Sequence, residues 1–266
     1  MLFRSLPAKR KYASRQSLPF QAWMIQKKRK QRNEVIDKLK ALIASLFSAG
    51  EQGAFYVPQP IVLGTQALFQ DAAGTTPVTA DGDPVGLMID QSGNGNHATQ
   101  TVSGSRPVYR ADGTLHWLEF DGVDDFIDTG LSHQAVWSGY AATRDLFGAT
   151  IFGGRGSTKT RFYLERSIVG VAESFLTFST TSGGVASLSV YGDSTFTVKN
   201  NNTEKLSGSY LETTQPGIST YLFARNNVGS SNAYASGKFY GAYFGLPVAD
   251  DQDLIEYLAN LAEITL

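Results

Sequence analysis

From Gly53 onward the chain is a succession of short runs rich in β-branched and aromatic residues: GLMI, LHWLEF, GATIF, RFYLE, SFLTFS, ASLSVYG, TFTV, TYLFAR and KFYGAYF. Clusters of Gly, Asn, Asp and Ser separate them, and such residues make turns because Gly adopts positive φ freely and short polar side chains bond nearby amides. No helical pattern alternates with these runs. A parallel α/β sheet is therefore excluded, and the expected fold class is mainly β, an antiparallel β-sandwich or jelly roll. At 266 residues the chain can bury one large all-β core. It contains no cysteine, which removes both a disulfide framework and a thiolate metal site. Charged residues make up only 18%, so the exposed faces rely on Ser, Thr, Asn and Gln.

Two helices flank the β region in this reading. Near the C-terminus, Leu254, Ile255, Leu258 and Leu261 form an apolar stripe over Asp251 to Leu261, with Asp250 placed to cap it and Asp253 at the capping-box position. This helix is expected to lie as a lid on the sandwich. Near the N-terminus, residues 33–50 carry Ile36, Leu39, Ile43 and Leu46 at spacings of three and four, with Val35, Leu42 and Phe47 widening the stripe and Gly50 as a stop. Two heptads of this kind suit either docking on the chain's own β-domain or self-association with a partner.

Charge is segregated. The first 48 residues hold 12 Lys or Arg against Glu34 and Asp37, about +10, and the remainder holds 11 basic against 22 acidic residues, about −11. Basic residues at Arg4, Lys9, Arg10, Lys11, Arg15, Lys27, Lys28, Arg29, Lys30 and Arg32 are interleaved with apolar anchors that include Phe20 and Trp23. Charges recurring through the first 40 residues are incompatible with a signal peptide, and no run of about 18 apolar residues offers a membrane span. Residues 1–32 read as an extended anchoring arm for an acidic protein partner. Nucleic acid is not the expected partner, because no recognised reading module accompanies the charge.

Two segments carry a family resemblance: VGLMIDQSGNGNHATQ, and about twenty residues later LHWLEFDGVDDFIDTG. Together with AGEQGAFYVPQ, ALFQDAAGTTPVTADGDP and the closing YLFARNNVGSSNAYASGKFYGAYFGLPVADDQDLIEYLANLAEITL, they resemble the laminin-G-like, concanavalin A-like β-sandwich modules of tailed-bacteriophage tail, fibre and head-decoration proteins. The resemblance covers about Ala49 to Leu266, and the sandwich is assigned to residues 51–266. It departs from the pattern at Val57, Pro58, Gln59 and Pro60, where such modules often carry an acidic or polar segment. It implies a virion location, other virion proteins as partners of the N-terminal arm, a homo-oligomer, and a sandwich displayed outward toward host-surface glycan.

Within the motifs, Asp90 can accept turn amides while Gly93 and Gly95 permit positive φ, and no Lys-Ser/Thr or helix follows to make a phosphate loop. Asp121, Asp124, Asp125 and Asp128 gather four hard oxygen ligands near one loop, which suits Ca²⁺, although no EF-hand spacing is present. The structural alternative is that these aspartates satisfy turn amides. Trp137, Tyr140 and Tyr234 are the candidates for stacking on sugar rings. Glu119, Asp121 and Asp124 approximate the E-x-D-x-x-E strand signature of a retaining glycosidase group, but the third carboxylate is shortened and follows a Gly-Val bend. His97, His116 and His133 fit no zinc motif, and there is no G-x-S-x-G elbow or cofactor motif. The expectation is therefore a non-enzymatic virion protein without a required cofactor, with a glycan-binding module outside a virion or a glycoside hydrolase as the alternatives.

Overall fold

The computed structural model describes residues 18–132, 134, 136–148, 150–155, 161–165, 168–171, 174–177, 184–191, 194–209, 219–227 and 230–266. They fall into two units, Met1–Ala41 and Leu42–Leu266. A single 29-residue helix, Leu18–Leu46, runs through the first unit and into the second. This corrects the expected extended arm: from Leu18 to Arg32 the basic segment is helical. Pro19 lies in the first turn, where its missing N–H costs nothing, and the unbranched Gln, Met, Lys and Arg side chains that follow favour a helix. Phe20, Trp23, Ile25 and Val35 are exposed on it.

The second unit is a sandwich of two sheets. The first sheet runs in the order Thr203–Ser209, Thr195–Asn200, Gly184–Val190, Trp137–Gly148, Ala235–Gly245, Leu115–Asp121 and Val108–Asp112, with Ala54–Tyr56 also paired to Ala235–Gly245. The second runs Ser174–Thr177, Ile168–Val171, Arg161–Glu165, Thr150–Arg155, Ser219–Leu222, Ile127–Ser132, Ala98–Thr99, Leu87–Met88 and Leu68–Phe69. Both paths are antiparallel; a short branch, Arg225–Asn227, pairs parallel to Thr150–Arg155.

Aromatic rings fill the space between the sheets. Phe120 stacks on Phe223 at 4.1 Å between centroids, Phe223 meets Phe239 edge-on at 6.3 Å, and Phe152 meets Phe244 at 5.3 Å. Each such pair adds about 0.5–1.5 kcal/mol beyond its burial. Side chains alternate along LHWLEF: Leu118 and Phe120 enter the core, while Trp117 and Glu119 stay on the opposite face, partly exposed.

The terminal helix spans Gln252–Leu261 and covers the outer face of the first sheet, burying Leu254, Ile255, Leu258 and Ala259. Asp250 serves the helix start as expected, although the N-cap position falls on Asp251. Asp250 accepts the Gln252 N–H at 3.3 Å, whereas the N-cap residue Asp251 makes no side-chain cap bond. The Asp251 carboxylate instead accepts Tyr140 Oη at 2.8 Å and Lys199 Nζ at 2.9 Å, tying the helix to two strands of the first sheet. Breaking a buried ion pair by removing one partner costs about 3 kcal/mol. Asp251→Ala is expected to lower the unfolding free energy by about that amount in denaturant titration, and Asp250→Ala by less than about 1 kcal/mol; equal effects would contradict the assignment of Asp251 as the tie.

Candidate functional site

The opening strand Ala54–Tyr56 is fastened by the loop that follows Leu87–Met88. The buried Asp90 carboxylate accepts the N–H groups of Phe55, Ser92 and Asn96 at 3.0, 2.8 and 3.1 Å, and the Ser92 hydroxyl at 2.7 Å. Asn94 and Asn96 each donate their side-chain amide to the Gly53 carbonyl, at 3.1 and 2.8 Å. His97 Nδ1 accepts the Asp90 N–H. Ser92, Asn94 and Asn96 all bond groups of the chain itself, so this motif is a structural clamp. Gly53 at φ +152° is required there, since a Cβ would lie 2.1 Å from the Phe244 carbonyl oxygen.

The aspartate turn closes the strand Leu115–Asp121. Asp121 Oδ1 accepts the N–H groups of Val123, Asp124 and Asp125, Asp125 accepts the Asp121 N–H at 3.1 Å, and Asp124 accepts the Ser105 hydroxyl at 2.9 Å. One carboxylate oxygen from each of Asp121, Asp124 and Asp125 lies within 4.8 Å of the others. Asp128 does not join them; its carboxylate accepts the Gly130 N–H at 2.8 Å. Burial, reinforced by Asp121 and Asp124, pushes the Asp125 carboxyl up to about 6. The three residues are chemically suited to hold a cation, which would supply the missing counter-charge.

Two of the three sugar-stacking candidates are corrected. Trp137 is in the core between the sheets, and Tyr140 lies beneath the terminal helix with its hydroxyl on Asp251. Neither ring can meet a sugar. Tyr234 remains partly exposed, its hydroxyl exchanging a 2.7 Å bond with Ser231. It belongs to an aromatic group that sequence reasoning missed: Phe126 stacks on Tyr221 at 4.6 Å and lies 6.5 Å from Tyr234, and Tyr221 pairs in register with Asp128. The DDFID run put Phe126 beside the aspartates, but only the sheet brings Tyr221 to them.

The glycosidase-like spacing does not assemble. Glu119 pairs with Arg110 Nε at 2.7 Å across neighbouring strands, and Asp121 is engaged by the turn amides. His116 bonds the Tyr109 hydroxyl at 2.6 Å, and burial holds it below the usual imidazole range; His133 lies outside the described residues. Of the anchoring residues, Arg4, Lys9, Arg10, Lys11 and Arg15 also lie outside them, while Lys27, Lys28, Arg29 and Lys30 are exposed on the helix. Phe20 and Trp23 stack at 5.9 Å and Lys27 Nζ lies 5.3 Å from the Trp23 ring centre. No helix among the described residues is long and apolar enough to cross a membrane.

No protein-family model and no curated protein sequence matches the chain. Solved structures do. An α-L-arabinofuranosidase of glycoside hydrolase family 54, soaked with a cyclic sulfate inhibitor, is similar over 82% of this chain with a TM-score of 0.56 and 15% identity. An arabinofuranosidase complexed with arabinofuranosyl-α-1,2-xylobiose gives a TM-score of 0.55 at 15% identity over the same share. This chain spans 64% of the length of each. The likeness shows a shared β-sandwich fold. It also corrects the expectation of a protein without catalysis: the same fold occurs in these arabinofuranosidases, so the architecture gives no ground for setting an enzyme aside.

The aspartate turn predicts a pH signature. Because the folded-state carboxyl of Asp125 sits above its ordinary value, its contribution is fully present below about pH 4 and is lost as pH rises through about 6. Asp125→Asn is expected to raise the melting midpoint at pH 7 relative to pH 4 by a few degrees more than the parent protein shows. Calcium is expected to raise the parent midpoint at pH 7, and Asp124→Asn with Asp125→Asn to remove that rise. Identical melting in calcium and chelator would leave these residues as turn-formers.

Proposed function

We propose that this chain is a structural protein of tailed-bacteriophage particles, held through its basic N-terminal helix to an acidic surface of other virion proteins, with the β-sandwich displayed outward toward host-surface glycan. The observation that carries the reading is the helix itself. It presents Phe20, Trp23 and Ile25 at about half exposure (49%, 52% and 61%) beside Lys27, Lys28, Arg29 and Lys30. Exposed aromatics flanked by cations are the composition of an interface anchor, and a helix alone in water gains nothing from showing them. The resemblance of the 85–130 motifs to phage modules and the fold shared with carbohydrate-active proteins support the outward role of the sandwich.

A second reading, glycan hydrolysis by the sandwich, is favoured by the arabinofuranosidase likeness. Acid and base functions would be sought at Asp125, whose carboxyl is raised to about 6, and the adjacent exposed Asp124, because carboxyls with diverging environments can divide those roles. Release of reducing ends from bacterial polysaccharide, lost in Asp125→Asn, would decide for it.

The anchoring reading makes its own prediction. Replacing Lys27, Lys28, Arg29 and Lys30 with Gln and Trp23 with Ala should leave the melting of the sandwich unchanged while abolishing incorporation into particles. Binding of the parent protein to stripped particles should weaken as salt rises from about 0.05 to 0.5 M, since exposed charges are screened over about 10 Å at 0.1 M. Normal copy number for the substituted protein would overturn the anchor.

A further inference from the structure

The described residues cover only part of the outer face of the first sheet. The terminal helix lies over it from Gly241 onward, where a Cβ would meet Leu261 Cδ1 and Leu258 Cδ2, and Arg144 Nη1 donates to the Ala262 carbonyl at the helix end. Beyond that edge the strand register sets out a separate patch. Arg110 pairs opposite Trp117, Lys238 opposite Glu119, and Arg144 opposite Lys238. Trp117 stands at the centre, with the Tyr240 ring 6.0 Å away and Lys238 Nζ 5.5 Å from the indole centre.

Two ion pairs flank the indole: Arg110 Nε to Glu119 at 2.7 Å and Lys238 Nζ to Asp145 at 2.6 Å, with Asp81 3.5 Å from Arg110 Nη1. These side chains are between 32% and 61% exposed, so they are accessible and water screens their pairing. Such partners exchange readily for other hydrogen-bonding groups.

We propose that this patch, centred on Trp117 and flanked by Arg110, Glu119, Lys238 and Asp145, binds a neutral saccharide; the proposal rests on the carbohydrate-facing reading of the sandwich. A sugar ring offers an apolar C–H face for the indole and a rim of hydroxyls that both donate and accept. The patch supplies both kinds of partner, the cations Arg110, Lys238 and Arg144 and the carboxylates Asp81, Glu119 and Asp145 around one aromatic plate. That balance sets no positive field for a polyanion, so a nucleic acid is not matched. An apolar peptide is not matched either, since it would desolvate these charges without replacing their hydrogen bonds.

The test uses the full chain. Purified neutral bacterial O-polysaccharides and arabinoxylo-oligosaccharides are arrayed, and the strongest binder is titrated while the indole N–H signals of the three tryptophans are followed by NMR. The Trp117 signal should shift on binding while that of core Trp137 stays fixed. Glu119→Gln and Lys238→Gln, both on exposed side chains, should each weaken binding at least tenfold with unchanged melting, and Trp117→Ala should abolish it. Binding that survives all three substitutions but is lost in Tyr234→Ala would overturn this site while leaving the carbohydrate reading intact. No binding of the parent chain to any arrayed glycan would overturn both.

Discussion

The structure depends on two adjacent strand segments, residues 137–143 and 239–245, that are buried on both faces. One face meets the aromatic core and the other meets the terminal helix, so these strands cannot alternate apolar with polar in the usual way. The constraint appears as small residues where rings approach. A Cβ on Gly139 would lie 2.8 Å from carbons of Phe152 and Phe244, and one on Gly241 would lie 3.0 Å from the Tyr56 carbonyl. The same double burial explains why Tyr140 and Trp137 are unavailable to ligands, and why Asp251 is used to hold the helix down rather than to cap it.

Carboxylates that accept backbone N–H groups organise the loops of the sandwich. Asp90 draws the opening strand onto the sheet through amide and hydroxyl donors from both sides of its loop, each such bond to a charged acceptor being stronger than a neutral one. Asp121 and Asp125 do the same for the turn after Leu115–Asp121, yet there the carboxylates sit close enough to repel one another. The two loops therefore differ in kind. The first is saturated by its own chain, and the second retains unbalanced negative charge at the surface, where a cation or a proton can relieve it.

What remains exposed on the described residues falls into distinct regions with different chemistry. The N-terminal helix offers exposed aromatic rings beside the cations Lys27, Lys28, Arg29 and Lys30. The patch around Trp117 offers both signs in close pairs around one indole. That difference follows the charge segregation of the chain.

Sequence alone determined the class of the fold, because short β-rich runs broken by Gly and Asn leave few alternatives to antiparallel sheets. It also fixed the terminal helix, whose apolar spacing is strong, and the structural nature of the Asp90 loop. It missed the central strand Trp137–Gly148, because Gly139, Ala141 and Ala142 carry no β-strand signature and earn their place only by fitting beneath neighbouring rings. It read the basic segment as extended, since charge and anchors say nothing about backbone state, although helix-favouring side chains after Pro19 held the signal. Among the candidate residues it grouped Asp121, Asp124 and Asp125 correctly, because they are local in the chain, and wrongly added Asp128, whose side chain the strand turns away. Which aromatics leave the core was beyond it: Trp117 and Trp137 are alike as residues, and only the packing of a second sheet against the first buries Trp137 and leaves Trp117 partly exposed.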